Sequence, residues 1–311
     1  MMLPMTERYN PAIHRYAVFT SACTVLLLVA GALVTSNDAG LAVPDWPTSY
    51  GTFFPPMVGG IFYEHGHRMV ATFVGLVTIG LALLLWRKEP RRWMRTLGWT
   101  ALGAVILQGL FGGLTVYLRL PPAVSMVHAT LAQGFFCMTI AISVFTSPWW
   151  FSHADSSGDD SGSPRLSTLA VWLASITFVQ LILGAAVRHN AFGIAPHLLG
   201  AAAVLILAIL VSRTVRRRFA ALRDLRLLSK WLSSVVGAQI LVGGAALWSR
   251  VATADAPQPV ASTIWITVAH TVLGAIVLAS TVVFVLVCRR LLSSAAHAAA
   301  GRGAEFVARG A

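Results

Sequence analysis

The chain has 311 residues, 57% of them hydrophobic and only 11% charged, with a mean hydropathy of +0.74. A soluble domain carries about 25% charged residues, so this composition excludes an ordinary soluble fold and points to a chain solvated mainly by lipid. The formal charge of +12 does not signal nucleic acid, because the basic residues cluster in short loops between apolar runs, a topology signature.

Taken in order, residues 1–16 form a short polar tail with Arg8 and Arg15. The first apolar run, about Ala17 to Thr35, is too long for a signal-peptide core and reads as a mature helix. Residues 36–66 contain no Lys or Arg; their prolines, glycines and aromatics suit turns capping a membrane interface. Span two, His67 to Trp86, is entered through Glu64-His65-Gly66-His67-Arg68, a cluster of ionisable groups where they are costly. Span three runs from Leu97 to Tyr117 and span four from Ser125 to Phe145, with His128 in its first turn. Residues 147–165, rich in Ser, Gly and Asp, read as a flexible linker. Spans five (Ser167 to Val187), six (Pro196 to Val211), seven (Trp231 to Trp248) and eight (Ile264 to Val287) follow, with His197 and His270 near the starts of six and eight. Cys23, Cys137 and Cys288 lie in apolar runs without metal-type spacing and read as small apolar fillers.

The expected fold is therefore an all-α polytopic membrane protein whose eight transmembrane helices form two pseudo-repeated four-helix halves. The halves are 1–146 and 166–290, joined by the linker 147–165 and followed by a tail, 291–311. Both termini and the 2–3, 4–5 and 6–7 loops share a side carrying 19 of the 23 Lys and Arg, which makes that side cytoplasmic. The other side holds Arg68, Arg119, Arg188 and Arg250. A repeat, Gln-x-x-x-Gly followed by a small residue, recurs at Gln108, Gln180 and Gln239; span one keeps Gly31-Ala32 but has Leu27 for the glutamine. Small residues and amides of this kind serve helix packing.

Four histidines, His67, His128, His197 and His270, begin alternate helices at one depth near the outer face. No carboxylate cluster accompanies them, so bis-imidazole ligation of haem is the best fit, as two side-by-side sites: His67 with His128 and His197 with His270. The glycine-lined helices are candidate walls for the flat haem slot, and the outer arginines, Arg68 and Arg188 among them, are candidate partners for haem propionates. His65 stands two residues and about 200° of helix from His67, so only one of them faces the bundle. His14, His65, His153, His189 and His297 are not expected to be axial ligands.

Gly40-Leu41 with Pro44-Asp45-Trp46-Pro47, Glu64-x-x-His67-Arg68, Val127-His128, His197-Leu198-Leu199-Gly200 and His270-Thr271-Val272-Leu273-Gly274 together resemble the haem A synthase family across essentially all eight spans. The resemblance implies oxidation of the haem O ring methyl to a formyl group, giving haem A for haem-copper oxidase assembly. It further implies substrate haem on His67 and His128, haem b on His197 and His270, and Glu64 as the acidic catalytic group. Implied partners are an upstream haem O synthase (the farnesyltransferase) and an electron acceptor, in a bacterial plasma membrane; a homo-oligomer is left open. The first-loop cysteine pair of some bacterial members is absent here. The alternative is a non-enzymatic diheme b-type electron carrier or haem-holding assembly protein, which needs the ligands but not Glu64.

Overall fold

The structure, a computed structural model, describes residues 9–153, 158–257 and 259–293. Linker residues 154–157 and the tail from 294, with His297, lie outside the described residues.

Among the described residues, eight helices are long and apolar enough to cross a membrane: α1 Pro11–Ser36, α2 Gly59–Lys88, α3 Arg92–Tyr117, α4 Pro122–Phe145, α5 Leu166–Arg188, α6 Ala195–Arg218, α7 Arg223–Ala252 and α8 Ala261–Leu291. Helix is the conformation that satisfies every backbone donor and acceptor within one segment, which lipid demands. Polar residues within the spans obey the same rule: the hydroxyls of Thr20, Thr24, Thr78 and Thr177 each donate to the carbonyl four residues back.

Several helices begin earlier than the apolar runs. α1 starts at Pro11, where Asn10 Oδ1 accepts from the amides of Ala12 and Ile13, at 3.0 and 3.3 Å. α2 starts at Gly59 and α7 at Arg223, eight residues ahead of their apolar runs in each case. Hydropathy marks where lipid begins, whereas a helix continues as long as its side chains find partners or water.

Consecutive helices pack in each half, and α1 against α4 and α5 against α8 close two four-helix bundles. The bundles meet through α8, which packs on α1 and α4, and through α4 on α5. Between them, Phe136 of α4 packs with Ala275 and Ala279 of α8, supported by Val25, Leu28 and Ile140. Ser36 and Thr267, 3.0 Å apart through their hydroxyls, and Arg188, whose Nη2 donates to Ser36 Oγ at 2.7 Å, add polar ties. Of the linker 147–165, Pro148–Ser152 makes one turn of helix. Asp160 is buried and its carboxylate accepts from the Leu166 and Ser167 amides, fixing the start of α5.

Candidate functional site

Because the chain alternates direction, the starts of α2, α4, α6 and α8 gather at one end of the bundles, and each brings one histidine. Every one of these imidazoles lies against a glycine of the preceding helix in its half: His67 on Gly31 of α1, His128 on Gly112 of α3, His197 on Gly184 of α5 and His270 on Gly243 of α7. In the C-terminal bundle the rings of His197 and His270 have centroids 6.2 Å apart and planes 82° apart. In the N-terminal bundle His67 and His128 are within electrostatic reach of one another.

The surroundings of these rings are short of hydrogen bonds. Among the described residues, the buried side-chain atoms without a partner are His67 Nδ1, His270 Nδ1, Ser125 Oγ and the Oε1 atoms of Gln108, Gln133, Gln180 and Gln239. Each belongs to one of the four histidines or lies within a few turns of one on a helix that packs beside it. Unpartnered buried polar atoms are expensive, and clustering marks a place built for something else. Two rings do have neighbours at Nδ1. His128 Nδ1 is 3.2 Å from the Gln108 backbone carbonyl oxygen, an acceptor that places the proton on Nδ1, and the Gln108 side-chain Nε2 lies 3.4 Å from His128 Nε2. Gln180 Nε2 is 3.0 Å from His197 Nδ1 and donates to the His197 carbonyl at 2.8 Å.

The loop between α1 and α2 folds over the N-terminal pair. Trp46 packs on Gly113, the residue next to the His128 partner Gly112, and Tyr117 Oη donates to the Trp46 carbonyl at 2.6 Å. Leu120 packs on Gly40, and Ala39 and Ala42 pack on Gly60. The stretch Glu64–Arg68 anchors this loop. Buried Glu64 accepts from the Val43 amide at 2.8 Å through Oε2 and pairs through Oε1 with Arg68 Nη2 at 2.6 Å, one helical turn on. Arg68 Nη1 donates to the carbonyls of Asp45 and Thr48, at 2.7 and 2.8 Å. His65, buried, meets Ser49 Oγ at 2.8 Å, so it faces the loop while His67 faces Gly31.

Asp45 closes the loop's own turn. Its carboxylate is held down to about 2 by hydrogen bonds from Thr48 Oγ1 and the amides of Gly51 and Tyr50. A lowered carboxyl value means that this contribution is complete above the ordinary carboxylate range and is lost as pH falls towards about 2. Asp45→Ala is therefore expected to speed hydrogen exchange of the Tyr50 and Gly51 amides at neutral pH, while Asp38→Ala leaves them unchanged.

Of the residues singled out in the sequence, Glu64, His67 and Arg68 share α2, with the carboxylate and guanidinium both engaged in the loop. Arg188 spends Nη2 on Ser36 Oγ and, at 3.3 Å, the Ala32 carbonyl, tying the bundles together near His270. Burial and the neighbouring Arg188 guanidinium push His189 below its ordinary value. His14 and His153 lie elsewhere, beside Thr146 and Trp149. Among the described residues no three His, Cys, Asp or Glu side chains gather as a metal cage. Sequence reasoning missed Ser49 and Thr48, which no motif marks, and read the repeat glycines as helix packing or slot lining, not as seats for single imidazoles.

The profile of a family described as cytochrome oxidase assembly protein matches residues 57–196, from the start of the loop anchor to the start of α6. A heme A synthase from Symbiobacterium thermophilum is 27% identical over 75% of this chain and 84% of its own length. One from Bacillus pumilus is 25% identical over 58% of this chain and 59% of its own length. Over most of its length, then, the chain is similar to haem A synthases. The stretch matched by the family profile contains Glu64, His67, Arg68 and His128, together with Gly112, Gln180 and Gly184. A protein of another name also aligns: a protoheme IX farnesyltransferase from Halobacterium salinarum is 30% identical over 44% of this chain but only 30% of its own length.

Proposed function

We propose that the chain oxidises the ring methyl of haem O to a formyl group, yielding haem A for haem-copper oxidases, in a bacterial plasma membrane with both termini cytoplasmic. The observation that carries this reading is the paired, glycine-seated imidazoles at one end of two bundles. His197 and His270 hold haem b, and His67 and His128 hold the substrate haem.

The donor set fits such a group. Two imidazole nitrogens each about 2 Å from a shared metal ion require ring centroids roughly 6 Å apart, and His197 and His270 stand at 6.2 Å. A porphyrin brings its own four nitrogens, so two protein ligands suffice where a bare ion needs three or four. When bound, haem b supplies a one-electron redox centre between the substrate and an electron acceptor outside the chain. Overall, the methyl group and one water become a formyl group with release of four protons and four electrons to that acceptor.

The chain's own part is to bind, orient and keep water out. The two sites are unequal in this respect. Residues 37–58 cap the N-terminal pair through Trp46, Val43 and Asp45, whereas α5 and α6 are joined by only 189–194. A dry pocket strengthens each electrostatic interaction inside it. Glu64 and Arg68 stand at its rim as a paired negative and positive charge, with Glu64 able to stabilise positive charge at the reacting carbon. Arg188, with one nitrogen committed to Ser36 and Ala32, is the better placed of the two expected arginines for a propionate; Arg68 has both terminal nitrogens engaged. The halobacterial farnesyltransferase, less than a third of which aligns with this chain, supports direct hand-over of haem O from such an enzyme.

The test is extraction of haems from the purified protein with identification by mass, with and without a co-expressed haem O-forming farnesyltransferase. Haem b in both preparations, joined by haem O and haem A only with the farnesyltransferase, is the expected result. Haem b with unconverted haem O would favour the electron carrier or haem-holding protein instead.

A further inference from the structure

Four glycines stand where the haem-binding reading needs the imidazoles to be fixed. A Cβ added to Gly31, Gly112, Gly184 or Gly243 would lie 3.1, 3.2, 3.0 or 2.8 Å from the Cε1 of its histidine. The order of approach is the same in all four: Cε1 first, Nδ1 next at 3.3–3.7 Å, and Nε2 last at 3.7–3.9 Å. Each ring thus presents the same edge to its glycine. Packing of helix on helix, the ordinary use of such glycines, would bring neighbouring backbone into this space, yet the three nearest atoms are ring atoms every time. Other glycines on the same helices serve as an internal comparison. Gly109 on α3 and Gly244 on α7 would meet nothing within 4 Å.

We propose that Gly31, Gly112, Gly184 and Gly243 are positioning residues that set the reach and plane of the four axial imidazoles, so that the Gln-x-x-x-Gly repeat is a ligand-orienting device. The proposal rests on the haem assignment made above. A methyl group at Gly243 forces the ring to move, because it would lie well inside van der Waals contact with Cε1, and at the other three the ring must give by a few tenths of an ångström. The repeat glutamines complete the seat one turn earlier. Gln108 accepts from His128 Nδ1 through its carbonyl, and Gln180 reaches His197 Nδ1 through its amide. His67, whose preceding helix has Leu27 for the glutamine, and His270, whose preceding helix keeps Gln239, both have an Nδ1 without a partner, so the glycine contact is the feature common to all four seats. An acceptor at Nδ1, as the Gln108 carbonyl is for His128, orients a metal-bound imidazole, and loss of such an outer-sphere partner typically costs about 10–100-fold in metal affinity.

The planes of His197 and His270 are 82° apart, and two axial imidazoles so crossed give ferric haem a strongly anisotropic low-spin resonance. Gly243, whose contact is the tightest, is the residue to change. The experiment compares full-length Gly243→Ala with Gly244→Ala and the unchanged protein by low-spin electron paramagnetic resonance, midpoint potential and haem b content. Gly243→Ala is expected to move the largest g value and the potential and to weaken haem b retention by about 10-fold, while Gly244→Ala leaves all three alone. Equal shifts in both variants, or none in Gly243→Ala, overturn the positioning role and leave the glycine a packing residue. Should Gly243→Ala fail to fold, Gly184→Ala, on the same haem through His197, decides by the same resonance. Absence of a bis-imidazole signal from the unchanged protein would instead sink the haem assignment beneath it.

Discussion

His270→Ala and His197→Ala each strip haem b from the purified protein, whereas His67→Ala and His128→Ala retain haem b and lose the haem derived from substrate. The expectation follows from the pairing within bundles: His197 and His270 face each other across 6.2 Å, and the other two share the second bundle. Removal of even an outer-sphere partner commonly weakens metal binding about 10–100-fold, so loss of an axial imidazole should cost at least that much. Pyridine haemochrome spectra with mass identification of the extracted haems separate the cases. Loss of one and the same haem in all four variants would mean a single site, and the division of labour between the halves would be wrong. His65→Ala is the control: its ring meets Ser49 in the loop, so both haems should stay.

Much of this arrangement is legible in the sequence, for a physical reason. Lipid permits little besides helices, so hydropathy marks the eight spans, and their alternation fixes which histidines share an end. Helix starts are less legible. Glu64 and His65 read as the polar approach to span two, yet α2 begins at Gly59, because those two side chains find partners in a folded loop that a hydropathy window does not register. Loop contacts are illegible altogether. Nothing in the sequence links Val43 to Glu64 across 21 positions, or Tyr117 to Trp46 across 71, since these bonds depend on how the loop is folded back. The glycines were visible as a repeat, but their role was not: a Gly-small pair looks the same whether it receives a helix or an imidazole.

Glu64→Gln separates the two roles that the sequence left open for this residue. Its carboxylate is buried, accepts from the Val43 amide and pairs with Arg68, which in turn holds the carbonyls of Asp45 and Thr48. Glutamine keeps the size, and its Oε1 can still accept from Val43 or from Arg68, but it removes the charge and introduces an NH2 that repels a guanidinium donor. If Glu64 acts only as the loop's anchor, the variant loosens residues 37–58, and haem O conversion suffers in proportion to that loosening. A fixed negative charge beside the reacting carbon predicts a sharper outcome. Loss of one preorganised electrostatic group costs on the order of 10²–10³ in rate, while haem retention, which depends on the imidazoles, stays close to that of the unchanged protein. Arg68→Gln provides the comparison, because it removes the loop's carbonyl contacts but keeps the acid. The expected pattern under co-expression with the farnesyltransferase is full haem b and haem O in Glu64→Gln with little or no haem A, against a smaller loss of haem A in Arg68→Gln. Normal haem A from Glu64→Gln would leave Glu64 as an anchor only. Equal losses in the two variants, together with faster amide exchange across residues 37–58 in both, would assign the whole effect to the lid, because a charge acting on the reacting carbon has no reason to track the mobility of that loop.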